Sequence, residues 1–114
     1  MRQTLFALLF CALLCGASAQ QPPIAGGYSA ASKTDREVLA AARFAAREAG
    51  RKEHARARLV SVESAETQVV AGLNFRLCLR VKVGKSVRDL RAVVYRNLKR
   101  QLSLTESSFA ACGA

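Results

Sequence analysis

From Leu73 to Val83, the residues Leu73, Phe75, Leu77, Leu79, Val81 and Val83 alternate with Asn74, Arg76, Cys78, Arg80 and Lys82. That is the period-two pattern of a strand with one buried face and one wet face. The β-rich stretch begins at Leu59, and drawn out as one strand at ~3.3 Å per residue it would span ~80 Å, beyond any small domain. It must fold back on itself. Before the break the apolar residues are even-numbered (Val60, Val62); after it they are odd-numbered. For both sets to face one core, paired residues must sum to an odd number, and a four-residue loop Val69-Val70-Ala71-Gly72 meets that condition. Gly72 is the residue there able to take a positive φ. Hairpin tips favour Asn, Asp, Gly and Ser, whereas this one carries two valines and an alanine. Either an apolar loop stands in water because something else covers it, or Val69 and Val70 belong to a strand and turn inward.

Around this hairpin the remaining elements follow. Gln20 to Ser29 holds both prolines and Gly26-Gly27, which predicts an extended, mobile arm. Thr34 opens a helix, with Glu37 as its capping-box partner and Asp35 favourable to the helix dipole. Val38, Leu39, Ala41, Ala42, Ala45, Ala46 and Ala49 share one helical face, Phe44 sits on its margin, and Gly50 is placed to cap the C-terminus. After a turn at Gly84-Lys85-Ser86, Val87 to Leu98 and Leu102 to Phe109 read as two more strands, joined around Lys99-Arg100-Gln101. With Leu59–Thr67 and Leu73–Val83 that makes four, and the arm is able to supply a fifth. The fold class is α+β: one long helix across a four- to five-stranded antiparallel sheet.

Residues 1–19 stand apart. Arg2, the apolar run Leu5 to Leu14 and Ala17-Ser18-Ala19 form a secretory signal, too short to span a membrane. The reading therefore divides the chain into a signal at 1–19, an arm at 20–33 and a domain at 34–114. A lipoprotein reading on Cys15 is weaker, because Leu14 is bulky where that processing wants a small residue. Removing the signal takes away Cys11 and Cys15 and leaves Cys78 and Cys112. In a secreted chain, extracellular or periplasmic, the simplest reading is one disulfide between them. A catalytic Cys78 would need a histidine base, and the single histidine, His54, lies among arginines. With one histidine and no Cys/His cluster, no metal or other cofactor is expected and an enzyme is disfavoured. A hydrophobic fraction of 51% against 23% charged residues excludes wholesale disorder.

Gln68-Val69-Val70-Ala71-Gly72 resembles the QxVxG first-hairpin motif of the cystatins, inhibitors of papain-like cysteine proteases. Gly26-Gly27 resembles the glycine of the cystatin arm, and Ala42-Arg43-Phe44-Ala45 is similar to a segment of plant cystatin helices. Gly72-Leu73-Asn74-Phe75 resembles the family's Gly-x-Asn-Tyr continuation. Asn97-Leu98 stands where cystatins usually carry Pro-Trp at a second hairpin tip, so the indole is lost and an apolar tip kept. Secreted animal cystatins commonly have two disulfides; this chain can make one, with Cys78 a strand earlier than the family pattern.

The resemblance implies a cystatin-like fold and a monomeric, reversible, non-covalent inhibitor of papain-like, cathepsin-type proteases. Its wedge would comprise the arm, the first hairpin and the second hairpin. Ile24 and Ala25 would fill substrate-side pockets, and Gly26 would let the backbone approach the catalytic centre. Gln68 would hydrogen-bond at the cleft edge, Val69, Val70 and Ala71 would bury against it with Gly72 shaping the turn, and Leu98 would pack on the far side. The rival class is a cationic defence module that binds anionic surfaces weakly, favoured by a net charge of +10. Specific nucleic-acid binding is disfavoured because no aromatic platform lines the basic strand.

Overall fold

Asp35, not Thr34, starts the helix. In the computed structural model, which describes residues 26–112, the Asp35 carboxylate accepts hydrogen bonds from the amides of Glu37 (2.8 Å) and Val38 (3.2 Å). Thr34 instead meets the Ser32 hydroxyl. Both are good capping residues; the one whose side chain reaches two orphan amides takes the position. Helix α1 then runs Arg36–Lys52 and buries Val38, Ala41, Ala42, Ala45, Ala46, Ala49 and Gly50. Phe44 packs partly buried against that core.

Gly50 is not the C-cap. It lies within the helix, whose C-cap is Glu53, and His54 takes the positive φ of 54°. A Cβ on Gly50 would come within 2.6 Å of the Ala57 Cβ and 2.7 Å of the Ala55 carbonyl oxygen. The glycine is there because the chain doubles back across it.

Five strands follow chain order across one antiparallel sheet: β1 (Tyr28–Ala30), β2 (Ala57–Val70), β3 (Gly72–Val83), β4 (Ser86–Arg96) and β5 (Leu102–Ser108). The arm thus supplies the fifth strand, pairing Tyr28 with Gln68 and Ala30 with Glu66. The signal at 1–19 and residues 20–25 of the arm, Ile24 and Ala25 included, lie outside the described residues.

The core sits between α1 and the inner face of the sheet. Phe75, Leu79, Leu90, Val38, Val81 and Val94 are its largest fully buried side chains, each contributing ~1.5–3 kcal/mol by burial. Alanines on the helix let it lie close to these strands. On the outer face Cys78 and Cys112 form a disulfide across 34 positions, with Cα atoms 5.8 Å apart. On the chain-entropy account such a loop closure is worth roughly 3–4 kcal/mol.

The odd-sum register holds only locally. Near the turn the pairs are Val70↔Gly72, Val69↔Leu73 and Gln68↔Asn74, which sum to an even number. β-Bulges between Val62 and Ser64 and between Leu59 and Ser61 shift the register twice, so Val62 pairs with Leu79 and Leu59 with Val81. Each bulge puts two residues opposite one and exchanges the parity of the inward face.

Candidate functional site

The register brings three segments to one end of the sheet. β2 ends and β3 begins there, β4 ends at Arg96 opposite Leu102, and Gly26-Gly27 precedes Tyr28, the partner of Gln68. The first hairpin is tighter than a four-residue loop: Val69 and Val70 belong to β2 and turn around Ala71. They do not turn inward, for Val69 is 71% exposed and Val70 40%. Gly72 has φ +113°, and a Cβ on it would lie 2.3 Å from the Arg96 carbonyl oxygen and 3.1 Å from the Tyr95 ring. Both backbone angle and space demand glycine.

The second hairpin is organised by Asn97. Its side-chain oxygen accepts from the amides of Lys99 and Gln101, both at 2.9 Å, and its amide nitrogen donates to the Gln101 side chain at 2.9 Å. The backbone closes with Arg100 N–H to Asn97 O at 2.9 Å and Asn97 N–H to Gln101 O at 3.0 Å, and Arg100 adopts φ 66°. This local network leaves Leu98 at the tip, 80% exposed.

A transverse row joins the segments. Tyr28, Gln68, Asn74, Tyr95 and Ser103 stand opposite one another across all five strands. Asn74 donates from its side-chain amide to the Gln68 side-chain oxygen at 2.9 Å. Gln68 in turn donates to the Gly26 carbonyl, and the Tyr95 hydroxyl donates to the Ala71 carbonyl. Gln68 therefore has its amide engaged within the chain, holding the arm, rather than presented free at an edge. Gly26 adopts φ +94° in open space, the conformation glycine supplies most readily.

Electrostatics fix the same end. Arg76 grips Glu66 with two hydrogen bonds, 3.1 and 2.8 Å, while its guanidinium lies 3.9 Å from the Tyr28 ring centroid. The hydrogen bond from Arg76 holds the Glu66 carboxyl below the usual glutamate range, and the bond to Glu66 raises Arg76. Glu37 on the helix pairs with Arg96 at 3.1 Å and Arg100 at 3.7 Å, tying the second hairpin to the helix start.

Of the residues singled out in the sequence, the structure brings Gly26, Gln68, Val69, Val70, Ala71, Gly72 and Leu98 to one end. Cys78 and Cys112 lie apart, on the outer face. Sequence reasoning missed Tyr95 as the link between the hairpins and Asn97 as the loop organiser. Counting the alternation along β4 would have put Tyr95 on the outer face in line with Asn74.

One helix laid across a five-stranded antiparallel sheet in chain order, with two hairpin tips at one end, is the cystatin fold. Two solved structures share it. The salivary cystatin of the soft tick Ornithodoros moubata is 24% identical, with TM-score 0.67, and the match covers 77% of this chain and 100% of that one. Al-CPI is 20% identical, with TM-score 0.57, covering 75% of this chain and 100% of that chain. The model of the SQAPI family, described as aspartic acid proteinase inhibitor, matches residues 31–112, and the chain belongs to that family. No curated protein sequence matches it.

Proposed function

We propose that this protein is a reversible, non-covalent inhibitor of papain-like cysteine proteases that acts by seating one end of its sheet in the active-site cleft. The observation that carries the reading is the exposure of Val69, Val70 and Leu98 on two adjacent hairpin tips, beside a glycine arm pinned by Gln68. Apolar side chains held out by a rigid frame lose little conformational entropy on burial, which favours binding. Ile24 and Ala25 would enter substrate-side pockets, Val69, Val70 and Ala71 would bury against the cleft rim, and Leu98 would pack on the other lobe. Gly72 and Gln68 act by holding the tip and the arm in place. No peptide bond of the inhibitor is then held in near-attack geometry over the thiolate, so the complex is not turned over. The chain performs no catalysis in this role and works outside the cell, where its disulfide persists.

The family match favours a second reading, in which the same end occupies an aspartic proteinase. The exposed Val69, Val70 and Leu98 would serve as the contact surface in that reading too. Titrating papain and pepsin in parallel with the purified protein decides. Stoichiometric loss of papain activity with pepsin untouched is the expected result; loss of pepsin activity alone would replace the first reading with the second.

A further inference from the structure

The opposite end of the molecule carries a cationic trough between the C-terminal half of α1 and the start of β2. Arg47, Arg51, Arg56, Arg58 and Lys82 line a cavity of about 680 Å³ there. A second cavity of about 460 Å³ shares Arg47 and Arg58 and adds Arg43. Only Arg51 among these six has an acidic partner among the described residues, Glu48 at 3.1 Å. Five of the other acids pair elsewhere, Glu37 with Arg96 and Arg100, Glu53 with Arg88, Glu63 and Asp89 with Arg80, Glu66 with Arg76; Asp35 caps the helix, and Glu106 pairs with none of the six.

The arrangement opposes the stability of the fold. Arg43, Arg47 and Arg51 succeed one another at four-residue spacing on one helix, where like charges repel. Arg58 stands directly opposite Lys82 across β2 and β3, a like-charge cross-strand pair. A bound polyanion would relieve all of these repulsions together. We propose that this trough binds a linear sulfated polysaccharide.

Shape and composition select that partner over other anions. Among the described residues no aromatic lines either cavity, so they offer no platform for stacked bases. Leu39, Leu59, Val60 and Val62 share the second cavity with the cations, but all of them line a concave trough, whereas a membrane surface would require a flat or convex apolar-and-basic face. An acidic peptide added as a strand to the open edge of β2 would meet the two bulges at Leu59/Ser61 and Val62/Ser64, which interrupt a regular ladder. Arginine forks matched to oxyanions on a narrow chain fit what remains.

The test compares two triple variants of equal net charge, R47Q/R58Q/K82Q in the trough and K33Q/R36Q/R91Q outside it. Affinity for a heparin-derived octasaccharide is measured across a salt series. The trough variant should lose about tenfold or more at physiological salt and flatten the dependence of log K on log salt by about two to three, against less than about threefold loss for the control. Its melting temperature should not fall, since it removes repulsions. Protease titration should match the parent, which separates this site from the inhibitory end. Equal losses in both variants, or no octasaccharide binding at micromolar concentration, would overturn the proposal. So would tighter trough-dependent binding to phosphatidylserine vesicles or to a single-stranded oligonucleotide.

Discussion

The two ends of the sheet are built on opposite terms. At the hairpin end, the polar groups are tied to one another, Gly26 to Gln68 to Asn74 and Ala71 to Tyr95, while apolar side chains stand in water. At the far end, five of the six cations along a trough have no acidic partner among the described residues. One end withholds hydrogen-bonding capacity and offers apolar surface; the other offers charge. A rigid sheet between them lets each be altered without disturbing the other.

The glycines of the two ends give the sharpest contrast. Gly72→Val meets both a forbidden φ and the Arg96 carbonyl, and should cost about 2–4 kcal/mol in denaturant unfolding. Gly84→Ala at the far end has a φ of +60° but open space around it, and should cost only roughly 1 kcal/mol. Equal costs would mean that the first hairpin is not wedged against β4.

Val70→Asp comes next. It should leave the melting temperature unchanged and weaken protease binding by about 2 kcal/mol, because an unpaired charge enters a desolvated contact. Unchanged inhibition by both Val70→Asp and Leu98→Asp would move the binding surface away from the hairpin end. A smaller effect is expected from Gln68→Ala, about 1 kcal/mol of binding through the freed arm. It should appear as a faster dissociation rate, and deletion through Gly26 should act the same way with little change in melting.

The smallest effect is that of pH on Glu66. Its carboxyl is held low by Arg76, so its contribution is present above the ordinary glutamate range and fades as pH falls through the lowered value. The pair is solvent-screened, so the effect is small. Glu66→Gln should melt slightly below the parent near neutrality, and the two curves should converge in acid. A gap that widens in acid would reverse the sign and refute the assignment.

The β3 strand was legible because Leu73 to Val83 alternates without interruption over the buried face. The β2 strand was not, because its two bulges let inward residues come from both parities, and parity was the only register signal available. Residues bound by local grammar were easy or nearly so: the Asp35 cap missed by one position among adjacent capping residues. Gly50 was misread because its partner, Ala57, is brought back by a turn rather than by helical spacing. The Tyr95 link to Ala71 spans 24 positions and leaves no local trace. The residues proposed to face a protease were named through family resemblance. The basic residues Arg43, Arg47, Arg51 and Lys82 could be counted along the helix and strand, but their meeting in one trough follows only once the helix is laid on the sheet.

A protein that meets proteases in the way proposed must also refuse to be digested by them. A protease takes its substrate as several residues of extended backbone lifted free of the fold, so the outermost strand is the natural point of attack. The sheet has two such edges, β1 and β5, and the longer is β5, seven residues long against three. At its start it is tethered by the Asn97–Gln101 turn. Beyond its end, Cys112 is bonded to Cys78 on β3, reaching past β4 on the outer face. With both ends anchored, β5 cannot peel from either end into a cleft; it would have to bow outward from its middle, against its pairing to β4 and the half-buried Leu104. The bond that closes the fold also makes it a poor meal.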